Sequence, residues 1–529
     1  MQIFFVSLII VGMFVSLVMD RMRPGLILFS AVILMMLLGI ISPGEAIAGF
    51  SNKGMITVAM LYLVSEGVRK SGVLERIIFS LLPTKKISVE QSNLRFLPIV
   101  SSLSAFLNNT PVVVIFAPMI KNWARKMHLP PSKFLIPLSY ATILGGMTTL
   151  IGTSTNLVVD GMIQDSLQSG LINVQTGGHT LGMFELSRVG LFICLTGLFY
   201  LVMIAPMLLP DHREGGEEEE ETNKHLPPGM MLMEVMITPR FPGINRTLRD
   251  FDFYRHYGAN VKAIRRSGQP LRGDFMNTRL TKEDTLIVEA DESFYTAWKD
   301  SRVFLMINKL GEVEVPMGSR KKWLTLVLVV LMILGATVGE LPAVSALLPN
   351  LQVDMFFCAA VTTVIMAWTG IFSPRRYTKF ISWDVLITIA CAFAISRGMT
   401  NSGFADMVGE RIVDLAQMAR HSERGIYIML AALYLITNLF TELITNNAAA
   451  ALAFPLALSI SSTLGMDPTP FFICICFAAS ASFSTPIGYQ TNLIVQGMGG
   501  YKFQDFLKVG LPLNLIVFLL SVFLIPLFY

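Results

Sequence analysis

Long apolar runs alternate along this chain with two zones in which the same apolar background is broken by Asn, Ser, Thr, Gly and Pro. The unbroken runs lie near 3–19, 25–42, 53–69, 186–209, 323–347, 353–373, 383–400, 424–440 and 508–528. Each is taken as a membrane-spanning helix, since ~20 apolar residues cover the ~30 Å of bilayer hydrocarbon. The broken pattern occupies 95–163 and 441–498, in LSAFLNNTPVVVIFAPM, ATILGGMTTLIGTSTNLVV, TELITNNAAAALAFPL and ASASFSTPIGYQTNLIV. Interrupted backbone cannot face lipid, because each unpaired N–H or C=O there costs several kcal/mol. These four segments are therefore predicted to be re-entrant hairpins and broken helices, buried in protein or lining a cavity.

The middle of the chain has another pattern. The acidic run Glu217-Glu218-Glu219-Glu220-Glu221 is followed by mixed charged and apolar sequence with strand-like stretches in VKAIRR and TLIVEA. The predicted organisation is a membrane half over 1–209, an acidic linker over 210–229, a small α/β domain over 230–308, a second linker over 309–322 and a second membrane half over 323–529.

The two membrane halves match in three places. Ser65-x-Gly67-x-x-x-Ser71-Gly72 pairs with Ser396-x-Gly398-x-x-x-Ser402-Gly403. Asn108-Asn109-Thr110, with Pro118 behind it, pairs with Thr445-Asn446-Asn447, with Pro455 behind it. Gly152-x-x-Thr155-Asn156-Leu-x-Val-x-Gly-Met pairs with Gly488-x-x-Thr491-Asn492-Leu-x-Val-x-Gly-Met, seven identities in eleven positions. The offsets are 331, 337 and 336. Duplicated halves with interrupted segments at corresponding places are the mark of a secondary transporter and point to its binding site. An odd number of crossings per half would invert the second copy, which is the expected arrangement.

Composition narrows the class further. Of 529 residues, 53% are hydrophobic and 15% charged, and mean hydropathy is +0.60. A soluble protein carries roughly 25% charged residues. An ordinary soluble enzyme and a disordered chain are both excluded. A net charge of +4 without a basic patch argues against nucleic acid as a partner. Cys194, Cys358, Cys391, Cys474 and Cys476 all sit in apolar sequence and read as small core residues. The first residues read as a retained span, lacking a basic n-region and a small-residue cleavage site. Basic residues at Arg21, Arg23, Arg375, Arg376 and Lys379, with Arg246, Arg249, Arg265 and Arg266 in the insert, favour a cytoplasmic insert by the positive-inside rule. Lys85, Lys86, Lys121, Arg125 and Lys126 do not sort by that rule.

The matched positions carry Asn, Thr, Ser and Gly, with no Arg, Lys or His. Neutral side-chain oxygens and carbonyls freed by broken helices suit a hard cation such as Na⁺, by extension from the oxygen preference of Ca²⁺ and Mg²⁺. Freed N–H groups at helix N-termini suit an anion. The Ser65 and Ser396 motifs read as close helix packing. The Asn pairs, costly in apolar sequence, read as ligand-binding. Asn156 and Asn492 either bind ligand or tie down backbone. Glu442 is an H⁺-coupling group, an orienting group or a partner of backbone. Asp160, opposite Gln496, falls outside the shared machinery.

At these motifs the chain resembles the divalent anion/Na⁺ symporter family, the SLC13-like sulfate and dicarboxylate carriers of the ion transporter superfamily. That family has a Ser-Asn-Thr motif at each of two hairpin tips and later Gly-Thr-Pro-Pro-Asn-like turns. Here the tips read Asn108-Asn109-Thr110 and Thr445-Asn446-Asn447, and the turns Gly152-Thr153-Ser154-Thr155-Asn156 and Gly488-Tyr489-Gln490-Thr491-Asn492. The Pro-Pro pair is missing from both turns. The resemblance implies one Na⁺ site from Ser104, Asn108, Asn109 and the Gly152 carbonyl, and a second from Thr441, Thr445, Asn446 and the Gly488 carbonyl. It implies an anion held by both tips, with Thr153, Asn156, Glu442 and Asn492 close by. It also implies a homodimer with an elevator motion.

The insert resembles a TrkA-C (RCK C-terminal) domain in Glu234-Val-Met-Ile, Pro242-Gly243, Arg246-Thr247-Leu248-Arg249, Tyr257-Gly258, Val261-x-Ala263-Ile264-Arg265-Arg266, Gly268, Pro270-Leu271 and Asp284-Thr285-Leu286-Ile287-Val288. This implies either a small regulatory ligand or a dimerisation role. The expected protein is thus a polytopic α-helical membrane protein of two repeats with re-entrant hairpins and a small cytosolic α/β domain. Its expected function is Na⁺-coupled symport of a divalent anion across the plasma (inner) membrane, sulfate before a C4-dicarboxylate. The rivals are an oxyanion exporter or Na⁺/H⁺ antiporter of the same superfamily and, from other classes, a ligand-gated channel or a membrane sensor. The channel reading lacks a Thr-Val-Gly-Tyr-Gly filter.

Overall fold

The computed structural model describes residues 1–529 except 20–21, 84–86, 173–178, 212–229, 239, 267–268, 272–274, 283, 299–300, 302, 310–318, 340–343, 345–352, 373–376 and 416–424. The acidic run at 217–221, Arg21, Lys85, Lys86, Gly268, Arg375 and Arg376 lie outside the described residues.

Among the described residues six helices are long and apolar enough to cross a membrane: Pro43–Ser71, Arg320–Gly339, Trp383–Asn401, Gly425–Leu443, Asn446–Leu464 and Phe503–Phe528. The last shows how sequence period becomes a lipid face. Leu507, Leu511, Leu515, Leu519, Phe523 and Leu527 are exposed, whereas Val509, Leu513, Val517, Ser521 and Ile525 are buried. Each set recurs every four residues, so one stripe meets lipid and the other meets protein.

Several expected spans are shorter than their apolar runs, Pro24–Leu37, Ser187–Met203 and Met355–Trp368 among them. Pro24–Leu37 and Met355–Trp368 have 14 residues each, about 21 Å at 1.5 Å per residue. Both stop at a glycine in the left-handed region, Gly39 at φ +67° and Gly370 at φ +66°. There a residue with a Cβ would be strained, and the helix ends in a reversed turn. Gly72 and Gly403 end Lys53–Ser71 and Trp383–Asn401 in the same conformation, at φ +67° and +74°. Beside them Ser71 and Ser402 bond back to the Val68 and Met399 carbonyls. The Ser65 and Ser396 motifs therefore do structural work, with Gly67 against Met366 and Gly398 against Met35.

Eight helices flank the interrupted zones. In the first half they are α1 (Val89–Ser104), α2 (Asn109–Lys126), α3 (Leu135–Gly146) and α4 (Ser154–Gln168). In the second they are α5 (Gly425–Leu443), α6 (Asn446–Leu464), α7 (Thr469–Ser480) and α8 (Gln490–Gly499). Every residue of α3 and of α7 is buried. The breaks that follow them are thus wrapped in protein, as their unpaired backbone requires. Close approach uses small residues: a Cβ on Gly145 of α3 would overlap the Ser101 carbonyl of α1.

The insert is an α/β unit. Strands β1 (Met231–Ile237), β2 (Asn260–Arg266), β3 (Gln269–Pro270), β4 (Asp284–Ala290) and β5 (Phe304–Lys309) form one sheet in the order β3-β2-β4-β1-β5, with every neighbouring pair antiparallel. Phe241, Phe251, Phe253, Tyr257 and Phe304 pack as its aromatic core. Fully buried Asp284 is satisfied by a two-pronged bond from Arg266 at 2.7 and 3.0 Å.

β1 also touches the membrane body. Glu234 Oε1 lies 3.1 Å from Lys121 Nζ of α2 and 3.3 Å from Arg265 of β2, with Lys121 only 1% exposed. Burial, and then the neighbouring Arg125 charge, pull Arg265 down to about 10, so it remains a cation at neutral pH. Met236 packs into the membrane core where α8 offers the bare backbone of Gly497.

Candidate substrate and ion site

The site is built on the starts of α2, α4, α6 and α8. The capping residues Asn108, Thr153, Thr445 and Tyr489 make no side-chain bond to their own helix. The first-turn N–H groups of these helices thus have no intrahelical side-chain acceptor and keep the positive end of the helix dipole. Pro111 sits within the first turn of α2, where a missing N–H costs nothing.

Side chains tie these four starts together. Asn109, opening α2, donates from Nδ2 to the Tyr489 hydroxyl at 2.6 Å. That hydroxyl lies 3.3 Å from Thr153 Oγ1, at the start of α4. Asn447, opening α6, accepts at Oδ1 from Ser154 Oγ at 3.1 Å and Thr155 Oγ1 at 3.2 Å, both at the start of α4. First-half and second-half helix starts thus meet in one place, although Asn109 and Tyr489 are 380 positions apart.

Two oxygen clusters flank this junction. In the first, Ser104 Oγ donates to Asn109 Oδ1 at 2.7 Å. A Cβ on Gly152 would stand 2.6 Å from the Gly146 carbonyl and 3.0 Å from that of Ala105, and one on Gly146 would stand 2.7 Å from Asn109 Oδ1. Only glycine at 146 and 152 leaves those oxygens room to converge. In the second, Thr441 Oγ1 donates to Asn446 Oδ1 at 2.8 Å and lies 2.5 Å from the Ala479 carbonyl. A Cβ on Gly488 would fall 2.9 Å from the Thr441 carbonyl and onto Ser482 Oγ. Such neutral oxygens can hold a hard monovalent cation, and the two clusters use the same hydroxyl-to-amide pair at i and i+5.

Asn156 and Asn492 both bond to backbone. Asn156 Nδ2 bonds the Thr149 and Gly146 carbonyls at 2.9 and 3.4 Å, and Asn492 Nδ2 bonds the Thr485 and Ser482 carbonyls at 3.1 and 2.9 Å. Each ties down its break at positions i−7 and i−10. Glu442 accepts at Oε1 from the Ser484 N–H and from Asn514 Nδ2, both at 2.9 Å, so it organises the second break and the last helix. Its Oε2 is buried without a partner. Asn108 and Thr110 are half-buried and Thr445 is exposed, and none makes a side-chain hydrogen bond among the described residues. Asp160 accepts from Gln164 and from the Leu181 N–H, a local structural role. All five cysteines are free and buried, and the described residues hold no His/Cys/Asp/Glu metal cluster.

Tyr489 is the residue that motif matching passes over. It occupies the place of Thr153, 336 positions on, and in sequence appears only as a departure from the family's turn. A lone aromatic two residues before a Thr-Asn pair carries no signal of the bond it makes.

Buried interrupted helices among apolar spans fit a multi-pass membrane transporter. The chain belongs to the citrate transporter family (CitMHS), whose sequence pattern matches residues 14–361 and 349–529, and it falls among the divalent anion/Na⁺ symporters. It is 30% identical to an uncharacterized transporter of Synechocystis sp., over 94% of this chain and 92% of that relative. It is 23% identical to sodium/sulfate cotransporter 2 of Chlamydomonas reinhardtii, over 92% and 85% respectively. Solute carrier family 13 member 2 of Rattus norvegicus is 28% identical over 25% of this chain and 22% of its own length.

Proposed function

We propose that this protein is a Na⁺-coupled symporter of a divalent anion, sulfate before a C4-dicarboxylate, in the plasma (inner) membrane with its insert in the cytoplasm. One observation carries the reading: four helix starts, two from each half, are hydrogen-bonded to one another between two oxygen clusters. The helix starts supply N–H donors and positive potential for the anion. The clusters of Ser104, Asn108, Asn109 and Gly152, and of Thr441, Thr445, Asn446 and Gly488, supply oxygens for Na⁺. Asn109 and Asn446 serve both, offering oxygen to the cation and an amide N–H toward the anion. Thr110 and Asn447 complete the tips. With no fixed basic residue at the site, the anion binds well only when the cations are in place.

The symporter is a homodimer in which the broken-helix core moves as an elevator between inverted repeats. The insert acts as a TrkA-C-like regulatory module for a small ligand. The names of the Chlamydomonas relatives support sulfate as cargo. The test is radiolabelled sulfate and succinate uptake into proteoliposomes. An inward Na⁺ gradient is expected to drive sulfate accumulation, and an H⁺ gradient alone is expected not to. Uptake driven by H⁺ without Na⁺, or Na⁺ movement without anion, would favour the antiporter reading through Glu442.

A further inference from the structure

We propose that Tyr489 is the specificity determinant of the anion site, making it a pocket for a compact tetrahedral oxyanion and excluding longer dicarboxylates. The inference rests on the symporter reading above and names the substrate class. It begins from an asymmetry between the two tips. Ser104 with Asn109, and Thr441 with Asn446, make the same bond at 2.7 and 2.8 Å, so both amides present Nδ2 away from their oxygen cluster. Asn446 Nδ2 is buried with no partner. One N–H of Asn109 Nδ2 is instead taken by the Tyr489 hydroxyl at 2.6 Å, which leaves only its second for an anion. The first half has the small Thr153 where the second has Tyr489, so the phenol fills one side of an otherwise matched pair of tips.

The hydroxyl has capacity left over. Its oxygen accepts the Asn109 N–H, so its own proton needs an acceptor. Thr153 Oγ1 at 3.3 Å lies beyond the ordinary 2.5–3.0 Å range for O–H···O bonds. An anion oxygen is the better acceptor, and bonds to a charged acceptor are shorter and stronger. Tyr489 is half-buried, and its ring packs on the membrane core. A tetrahedral oxyanion can take the Tyr489 O–H on one side and the Asn446 N–H on the other. A C4-dicarboxylate carries its charges at two ends, and the Asn109 amide that would meet one of them is already bonded to the Tyr489 hydroxyl.

The test compares wild type, Tyr489→Phe and Tyr489→Thr in proteoliposomes, with sulfate and succinate as cargo. Sulfate and succinate protection against thermal unfolding is the second readout. Tyr489→Phe is expected to raise the sulfate KM about tenfold, the loss of one hydrogen bond to a charge, with Vmax within about twofold and the sulfate-over-succinate ranking kept. Tyr489→Thr is expected to weaken sulfate further and to raise succinate relative to sulfate by at least about tenfold. Unchanged sulfate KM and ranking in both variants would overturn the proposal, as would a wild type that prefers succinate. A residue that only packed would lower Tm and Vmax in Tyr489→Thr without moving the ranking, which also overturns it. Should Na⁺ fail to drive wild-type uptake while the variants still re-rank the anions by thermal protection, the coupling reading falls and the role of Tyr489 stands.

Discussion

Each buried asparagine at this site divides its amide between two tasks. At Asn109 and Asn446 the oxygen accepts from a hydroxyl five residues earlier, which fixes the amide's orientation; the Asn109 N–H₂ then meets Tyr489 of the other half, and the Asn446 N–H₂ is buried without a partner. In the proposed binding scheme, alanine at either position removes a cation ligand and an anion donor together. Asn109→Ala and Asn446→Ala are each expected to cost about 1.5–3 kcal/mol of binding, a rise of roughly 10- to 150-fold in apparent KM for Na⁺ and anion, read from initial uptake rates at varied concentrations. Asn492 has a different task, because its amide donates to the Ser482 and Thr485 carbonyls. Asn492→Ala leaves those acceptors buried and unpaired, a cost of about 1–3 kcal/mol expected as a lower Tm of the purified protein even without ligand.

At the scale of elements, α2 joins the site to the insert. It begins at Asn109 and carries Lys121 beneath β1, so one rigid helix reaches from the first tip to an interior strand of the sheet. The contact is a buried charge cluster, and removing its carboxylate takes from Lys121 its partner at 3.1 Å. Glu234→Ala is expected to destabilise by about 3–5 kcal/mol, and a double substitution of Glu234→Leu with Lys121→Met to recover much of that, measured by thermal unfolding in detergent. Little of this joint could be read beforehand. Lys121 stands 113 positions from Glu234, and among Arg125 and Lys126 it resembles an ordinary loop cation. The tips stood out for the opposite reason: an Asn pair within an apolar run is costly, and it recurs 338 positions later.

For the whole molecule, the elevator proposal places α4 in the moving broken-helix core, and its partner across the Asp165–Arg397 pair, the helix Trp383–Asn401, outside it. In this structure Asp165 of α4 pairs with Arg397 of that helix at 2.9 Å. Replacing both with cysteine and bridging them with a short bis-maleimide is expected to abolish uptake, whereas a monofunctional maleimide leaves it. The five native cysteines, all buried, give a low background. Persisting uptake in the bridged protein would mean that these helices stay together throughout the cycle.

The amino-acid sequence by itself determined that the chain lives in a membrane, where its helices break, and which small polar residues recur at the breaks. All of these depend on local composition, on period and on the cost of bare backbone in hydrocarbon, and each can be read within a few turns of helix. Only the tertiary structure decided which breaks face one another, that Asn156 and Asn492 bind backbone, and that Tyr489 reaches Asn109. Those outcomes depend on how separately formed helices dock, and the distances between residues far apart in the chain are set by packing that no local pattern encodes.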